Sequence, residues 1–215
     1  MGHDHCVATP TREKLLDACL RVVVDQGIAK ASARAIATEA GVNQALVFYH
    51  FGSVDELLAA ACDHGARQRI EAHRAALAEV TDFSGLIAVA RAIHAHEQDA
   101  GNVALLGQLL AGSSSHASLG PATAAGLALW ATEVQVVLER LLGSGPLAGL
   151  VDVPGLARAV SASFVGLELY DGVDPEGAAS AFAAFEQLAR LLGVVDGLGP
   201  VERAALRRRL RRSTG

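Results

Sequence analysis

Aromatic residues and cysteines are scarce in this chain of 215 residues. Phe, Trp and Tyr together make up 4% of it, and the three cysteines lie far apart, at positions 6, 19 and 62. A sandwich or barrel uses more β-branched and aromatic residues, so the composition favours closely packed helices. Three isolated cysteines exclude a disulfide scaffold and suit a reducing compartment, so we expect an all-α protein of the cytoplasm.

Lysine is also rare, with two residues against sixteen arginines, and the formal net charge is −5. The charge is unevenly spread, because residues 203–215 carry six arginines and no acidic residue while the rest of the chain is acidic. Such a run is usually a solvated or frayed tail, and a supporting contact with DNA is the alternative. With 51% hydrophobic residues and a modest net charge, the chain is not intrinsically disordered.

Residues 100–132 contain no Asp, Glu, Lys or Arg, which raises the question of a membrane span. Polar and helix-breaking residues at 113–116 and 120–121 divide the stretch into two halves, and neither reaches the roughly 20 apolar residues that a span needs. The first fourteen residues also lack the apolar segment of a signal peptide. We therefore expect no membrane among the partners of this chain.

Glycine, proline and capping residues predict where the helices begin and end. An apolar stripe at spacings of three and four begins after Thr11, and Gly27 stops that helix. Proline marks several later starts, and Gly193 is predicted to end the ninth helix. No segment predicts a strand. The predicted helices cover residues 11–26, 33–40, 44–50, 54–80, 83–99, 102–112, 121–142, 154–171 and 175–192, with a last helix after Pro200.

The second and third predicted helices are short and joined by a tight glycine turn, with the first helix beside them. This is the helix-turn-helix arrangement, in which the second helix of the pair enters the major groove of DNA. Ser32 and Asn43 are predicted to cap the two helices. Val47 and Phe48 are predicted to face inward, and Gln44 at the helix start can pair with adenine through its amide.

The sequences TREKLLDACLRVVVDQG and SARAIATEAGVNQALVFYHFGSVDELL, within residues 11–61, resemble the DNA-binding region of the TetR family of bacterial, ligand-responsive regulators. The resemblance implies an all-α fold. An N-terminal three-helix helix-turn-helix domain is joined by a long helix to a C-terminal helical lobe for ligand binding and dimerisation. It also implies a DNA-binding domain at 11–53 and a helical lobe at 54–198. The sequence itself predicts a flexible arm at 1–10 and an Arg-rich helix or tail at 199–215.

Positions that match the family motif predict the contacts with operator DNA. The residues expected to meet bases are Arg34, Gln44 and Leu46, the last against a thymine methyl group. The residues expected to grip phosphates are Ser32, Asn43, Tyr49 and His50. Val54 stands where the family commonly has a lysine, so one phosphate contact is expected to be missing.

The resemblance also implies an effector pocket and a dimer interface in the C-terminal half. Plain core packing, or half-exposed helix positions for the polar members, is the alternative for each pocket residue. Small and aliphatic lining side chains favour a lipophilic effector. The predicted lining residues are Ile93, Leu105, Gln108, Leu109, Leu127, Trp130, Glu133, Val134, Phe164 and Glu168. The predicted dimer residues are Ala157, Ser161, Val165, Leu169, Ala178, Phe182, Phe185 and Leu188.

Histidines could suggest a metal, but their spacing gives little support for one. His3, Asp4, His5 and Cys6 lie on the predicted arm, and His94 and His96 are two apart on a helix, so they face nearly opposite sides. His94 with Glu97 or Gln98 is the remaining combination. We therefore expect no metal site and no cofactor.

The favoured function is a dimeric transcriptional repressor that a small molecule releases from a palindromic operator. One alternative is a helical interaction protein with residual DNA binding. Another is an activator, or a regulator without an effector. The chain contains no nucleophile elbow, Walker loop, dinucleotide fingerprint or HExxH motif, so an enzyme is not expected.

Overall fold

The computed structural model describes residues 10–143 and 147–213, and all the regular elements in these two ranges are helical. The predicted all-α class is therefore confirmed for this part of the chain. The helices are α1 (Pro10–Gln26), α2 (Ala33–Ala40), α3 (Ala45–Phe51), α4 (Val54–Ala78), α5 (Phe83–Asp99), α6 (Asn102–Gly112), α7 (Leu119–Leu142), α8 (Val153–Asp171), α9 (Pro175–Asp196) and α10 (Pro200–Ser213).

The chain divides into two compact units. The first contains Met1–Arg69 and Gly101–Gly126, and the second contains Ile70–Ala100 and Leu127–Gly215. Helices α4 and α7 therefore contribute residues to both units. The functional domains predicted from the sequence end at residues 10, 53 and 198, so they do not coincide with these compact units. They stay a prediction. Most of the predicted arm lies outside the described residues, and its last residue, Pro10, begins α1.

The first unit is built around the apolar stripe of α1. Leu15, Cys19 and Val22 are at most 1% exposed, as their spacing of three and four residues predicts. Helix α1 packs against α2 and α6, so the buried face of one amphipathic helix organises most of this core. On its outer side, Arg21 pairs with Glu39 of α2 at 2.7 Å, an exposed contact that adds little stability.

The boundaries of α2 follow from two local features of the sequence. The Ser32 hydroxyl oxygen accepts a hydrogen bond from the Ala35 amide at 3.2 Å, which satisfies one of the free N–H groups at the helix start. At the other end, Gly41 adopts a left-handed conformation with φ of 66°, which a side chain would disfavour. Both predicted helix limits are confirmed.

The second unit packs α5 against α9 and α9 against α8. Its core includes Phe83, Ile93, Val137 and Leu138, all buried. The end of α4 is closed by Arg140, whose guanidinium donates to the carbonyl oxygens of Leu77 at 2.8 Å and Val80 at 3.1 Å. This side chain satisfies two carbonyls that the end of a helix otherwise leaves to water.

One predicted helix end is wrong. Helix α9 continues past Gly193 to Asp196 and is closed by Gly197. Gly193 does not have a positive φ, so it takes ordinary helical geometry, and a glycine without a left-handed turn does not stop a helix. The sequence analysis also missed a single 3₁₀ turn at Ile28–Lys30.

The sequence analysis considered only residues 100–132 as a possible membrane span, but two helices of the described chain are long and apolar enough for one. By length and composition, α7 and α9 could each cross a bilayer, and the bent pair α3 and α4 would add a third span if it is counted as one. The division of residues 100–132 into two halves was correct, but α7 begins at Leu119 and runs on to Leu142, which makes it 24 residues long.

The burial of Cys19 makes a prediction about alkaline stability. Burial raises the pKa of this thiol from 9.0 to about 12, so the folded protein keeps the proton that the unfolded chain releases above pH 9. The free energy of unfolding should then fall between pH 9 and pH 12, by up to about 1.4 kcal/mol per pH unit from this group.

Denaturant unfolding of the wild type and of Cys19→Ala across that range measures the effect. The variant removes this titration but keeps those of lysine and tyrosine, so the stability difference between the two proteins should shrink as the pH rises. A difference that stays constant from pH 8 to pH 11 contradicts the prediction.

Candidate nucleic-acid interface

Helix α3 is held in place by one deeply buried side chain. Val47 is fully buried in the core of the first unit, together with residues of α1, α2 and α4. Gly52, with φ of 77°, ends the helix after Phe51. Because α3 has only seven residues, it is too short to be stable alone, and this packing must supply its stability.

The inward pair predicted for α3 is only half correct. Val47 is buried, but Phe48 is 47% exposed and therefore does not belong to the core. Leu46, which we expected to meet a thymine methyl group, is half-buried and packs partly against the core. On the exposed surface of α3, Phe48 is thus more accessible than the sequence analysis assumed, and Leu46 is only partly accessible.

The start of α3 presents amide groups to solvent. Asn43 and Gln44 are both exposed. The Asn43 side-chain oxygen accepts a hydrogen bond from the Ala45 amide at 2.8 Å, so the predicted cap is confirmed and its NH₂ group keeps two donors. Gln44 makes no capping hydrogen bond with its side chain, which suits a group that can reach a base edge.

Tyr49 is the most exposed aromatic side chain of the described part of the chain, at 81%. Its ring meets His50 edge to face, with ring centroids 4.9 Å apart. A phenol hydroxyl and an imidazole N–H are both able to donate to a phosphate oxygen. The structure therefore places the two predicted phosphate contacts side by side on α3.

Helix α2 contributes two exposed polar groups, Ser32 and Arg34. The Ser32 oxygen accepts from the Ala35 amide, so its own proton is still available to donate to a phosphate. Arg34, one position inside the helix, carries the positive charge of this end of α2.

One basic side chain beside α3 was missed by the sequence analysis. The guanidinium of Arg12 on α1 lies over the ring of Phe51 at the end of α3, 5.1 Å from the ring centroid. A cation held in this way keeps its charge in a defined place. At the position where a lysine is common, Val54 is half-buried against the core, so it serves packing.

Comparisons with known proteins agree with this geometry. A family model described as "Bacterial regulatory proteins, tetR family" matches residues 15–61. The HTH-type transcriptional regulator BetI 2 of Chromohalobacter salexigens is 30% identical over 189 residues, which cover 81% of this chain and 83% of that protein. This chain belongs to the TetR family. It is therefore a DNA-binding transcriptional regulator with an N-terminal helix-turn-helix domain.

Solved structures show the same fold. A transcriptional regulator from Streptomyces coelicolor A3(2) aligns with a TM-score of 0.65 and 24% identity, over 83% of this chain and 98% of that one. The multidrug binding protein EbrR, solved in complex with imidazole, aligns with a TM-score of 0.57 and 27% identity, over 81% and 93%.

The residues predicted to line an effector pocket of this TetR-family chain are divided between its two units. Leu105, Gln108 and Leu109 belong to the first unit, where Leu105 and Leu109 are core residues. The Gln108 side-chain oxygen accepts from the Ile28 amide at 3.5 Å. The other seven predicted residues belong to the second unit.

Four of those seven share the apolar core of the second unit, namely Ile93, Trp130, Val134 and Phe164. Leu127 is half-buried. The two predicted polar residues have partners within the unit. Glu133 pairs with Arg74 at 3.5 Å, and buried Glu168 meets Nδ1 of His94 at 3.3 Å.

The predicted dimer residues also separate into two groups. Ala157, Ala178 and Phe182 are at most 4% exposed, so they pack inside the subunit and are wrongly placed on an outer face. Leu169 and Leu188 are exposed, and Ser161, Val165 and Phe185 are half-buried. The sequence analysis missed three exposed neighbours, which are Val173 at 86%, Leu191 at 64% and Val194 at 68%.

The metal combinations considered from sequence do not form among the described residues. His94 faces Glu168 and Asp171, and Gln98 donates to Asp171. The arm with His3, Asp4, His5 and Cys6 lies outside the described residues. The structure instead brings His96 and Glu97 of α5 to His73 of α4, which sequence spacing could not reveal.

Arg12 yields a test of the interface. Replacing Arg12 with alanine should weaken binding to all DNA sequences alike, and should lower the slope of log affinity against log salt by about 1, because one phosphate neutralisation is lost. Fluorescence anisotropy at several salt concentrations measures both effects. Arg21→Ala is the matched control, since Arg21 lies on the same helix and is paired with Glu39. An unchanged salt slope in Arg12→Ala would remove this residue from the interface.

Proposed function

We propose that this regulator is a dimeric repressor that binds a palindromic operator through α3 and is released by a small, lipophilic effector. The observation that carries the proposal is the two-sided character of α3. Val47 fixes the helix in the core, while Tyr49 and, at the helix start, Gln44 are exposed. A rigid helix with exposed polar side chains is what major-groove recognition needs.

The roles at this interface follow from hydrogen-bond chemistry. Gln44 offers an adjacent donor and acceptor, which match the N7 and N6 atoms of adenine, and Arg34 can bind guanine in the same bidentate way. Leu46 adds limited apolar contact with a thymine methyl. Ser32, Asn43, Tyr49 and His50 are donors for phosphates and fix the register without reading sequence.

The overall charge of −5 does not oppose this function, because only the contacting face must attract DNA. Lys14, Lys30 and Arg34 are exposed in the helix-turn-helix region, and Arg12 lies beside α3. Arg21 is neutralised by Glu39. Arg12, Lys14 and Lys30 thus remain to meet phosphates, while Arg34 is left to meet a base.

Exposed apolar side chains on α8 and α9 support a dimer. Leu188, Leu191 and Val194 recur at intervals of three on α9, so they share one side of that helix. Leu169 and Val173 stand exposed on α8 and just after it. A monomeric soluble protein rarely leaves such a group uncovered. A twofold dimer would present its two α3 helices to half-sites about 34 Å apart.

An effector in the second unit would meet mostly apolar side chains, as predicted from Ile93, Trp130, Val134 and Phe164. On α8, the Ser161 hydroxyl is buried and has no hydrogen-bond partner among the described residues, and it lies on the helix face of Phe164 and Glu168. Such an orphaned polar atom is where a ligand group can bond. The name of EbrR, a multidrug binding protein solved with imidazole, is consistent with small organic ligands in this fold.

Release requires that the effector prefer the state that does not bind DNA, since equal affinity for both states would change nothing. Activation of transcription, and regulation without an effector, are the alternatives within the family. As a transcriptional regulator the protein would act in the cytoplasm, and the exposed apolar residues of α9 would meet a second subunit rather than lipid.

Substitutions on α3 test operator recognition. Gln44→Ala should cost about 1–3 kcal/mol for the operator and relax the preference at one base pair, because its bidentate contact is lost. Tyr49→Phe and His50→Ala should weaken all sequences alike. Anisotropy with the intergenic region upstream of its own gene is the measurement, and exposed Gln68→Ala is the control. Operator affinity that survives all three substitutions would overturn recognition through α3, whereas the absence of any preference for operator DNA would favour the interaction protein.

A charge in the exposed apolar group tests the dimer. Leu188→Asp and Leu191→Asp should convert the protein to a monomer, because burying an unpaired carboxylate in an interface is costly. Light scattering after size-exclusion chromatography measures the mass. Val136→Asp on α7, at 51% exposure, is a control that should stay dimeric. A wild-type monomer at micromolar concentration contradicts the proposal.

A further inference from the structure

Two helices of the second unit bring together two imidazoles and one carboxylate. His73 lies on α4, and His96 and Glu97 lie on α5. One ligand atom from each of the three side chains lies within 4.8 Å of the others. Nε2 of His73 is 3.1 Å from Oε1 of Glu97, and the rings of His73 and His96 are 5.3 Å apart between centroids.

These separations suit a shared ion. In a tetrahedral site with bonds of about 2.1 Å, ligand atoms stand about 3.4 Å apart. The 3.1 Å separation of the His73 nitrogen and the Glu97 oxygen is close to that value. The 4.8 Å limit on all pairs requires a contraction of no more than about 1.4 Å, which side-chain rotation on two helices can supply.

The three side chains differ in their exposure to solvent, from buried Glu97 to exposed His96, and this range fits an ion site. Glu97 is 6% exposed, so its carboxylate is an anionic ligand largely shielded from bulk water. His96 is exposed, so an ion could enter from solvent and keep water in its remaining coordination positions.

We propose that His73, His96 and Glu97 form a binding site for a divalent first-row transition metal ion of the Zn²⁺ or Co²⁺ type. Two imidazoles and one carboxylate are the ligands such ions prefer, whereas Mg²⁺ and Ca²⁺ prefer sites made of oxygen. Three protein ligands leave at least one position for water or for a small ligand. This site is independent of the proposed recognition of operator DNA.

The chain carries its own optical reporter for this site. It contains one tryptophan, Trp130, and the ring of His73 lies 6.1 Å from it between centroids. Co²⁺ quenches nearby fluorescence, so binding at His73 should quench Trp130. Binding of Co²⁺ elsewhere in the chain would have a weaker effect on this residue.

The experiment uses the untagged full chain with His3→Ala, His5→Ala and Cys6→Ser, which removes the histidine and cysteine candidates near the N-terminus. Titration with Co²⁺ should give a visible absorption band that saturates at one ion per chain, with parallel quenching of Trp130. Zn²⁺ should then displace Co²⁺ and abolish the band. Circular dichroism checks that each variant is folded.

His96→Ala is the sharpest variant, because this side chain is exposed and its loss leaves no cavity. It should weaken Co²⁺ binding at least 10-fold, and His73→Ala should do the same. His64→Ala is the matched control, since His64 pairs with Asp17 at 2.9 Å without a second histidine, and its loss should change nothing. Binding that vanishes with the N-terminal substitutions, or that His96→Ala leaves unchanged, would overturn the proposal.

Discussion

The burial of Val47 is the constraint on which the DNA-binding end of this protein depends. A helix of seven residues forms only where packing compensates for its cost in conformational entropy. Val47 provides that packing against the helices around it. Once it is buried, the helical period turns Tyr49, two positions further along, toward the surface. The recognition surface is thus a consequence of the core.

The residues that end and begin the helices around α3 also combine two roles. Gly41 and Gly52 both adopt positive φ, and each ends a helix where a side chain would be strained. Ser32 and Asn43 satisfy amides at the helix starts and still keep donors for another partner. The side chains that cap these helices are thus the same ones that we propose to contact phosphates.

The sequence predicted the helices well because their signals are local. Caps, glycine turns and apolar spacing placed nearly all of the boundaries close to where they are found. The exposure of individual side chains was harder to predict, since it depends on which helices pack against each other. Phe48 looked like a core residue beside Val47 but is exposed, and Phe182 looked suited to a dimer face but is buried. Because α9 was predicted to end at Gly193, Val194 was not recognised as one of the exposed apolar residues of this helix.

Contacts between distant parts of the chain lie beyond any local pattern, and they shape what the proposed effector would meet. Glu133 and Glu168 seemed available to orient a ligand, yet Arg74 and His94 already contact them. Taking His94 from buried Glu168 would remove one of the partners of that carboxylate, and losing a partner is costly for a buried polar group. A ligand that used either carboxylate would have to replace these contacts. An effector that gains its affinity from apolar area, and bonds to the unpartnered Ser161 hydroxyl, would avoid that cost.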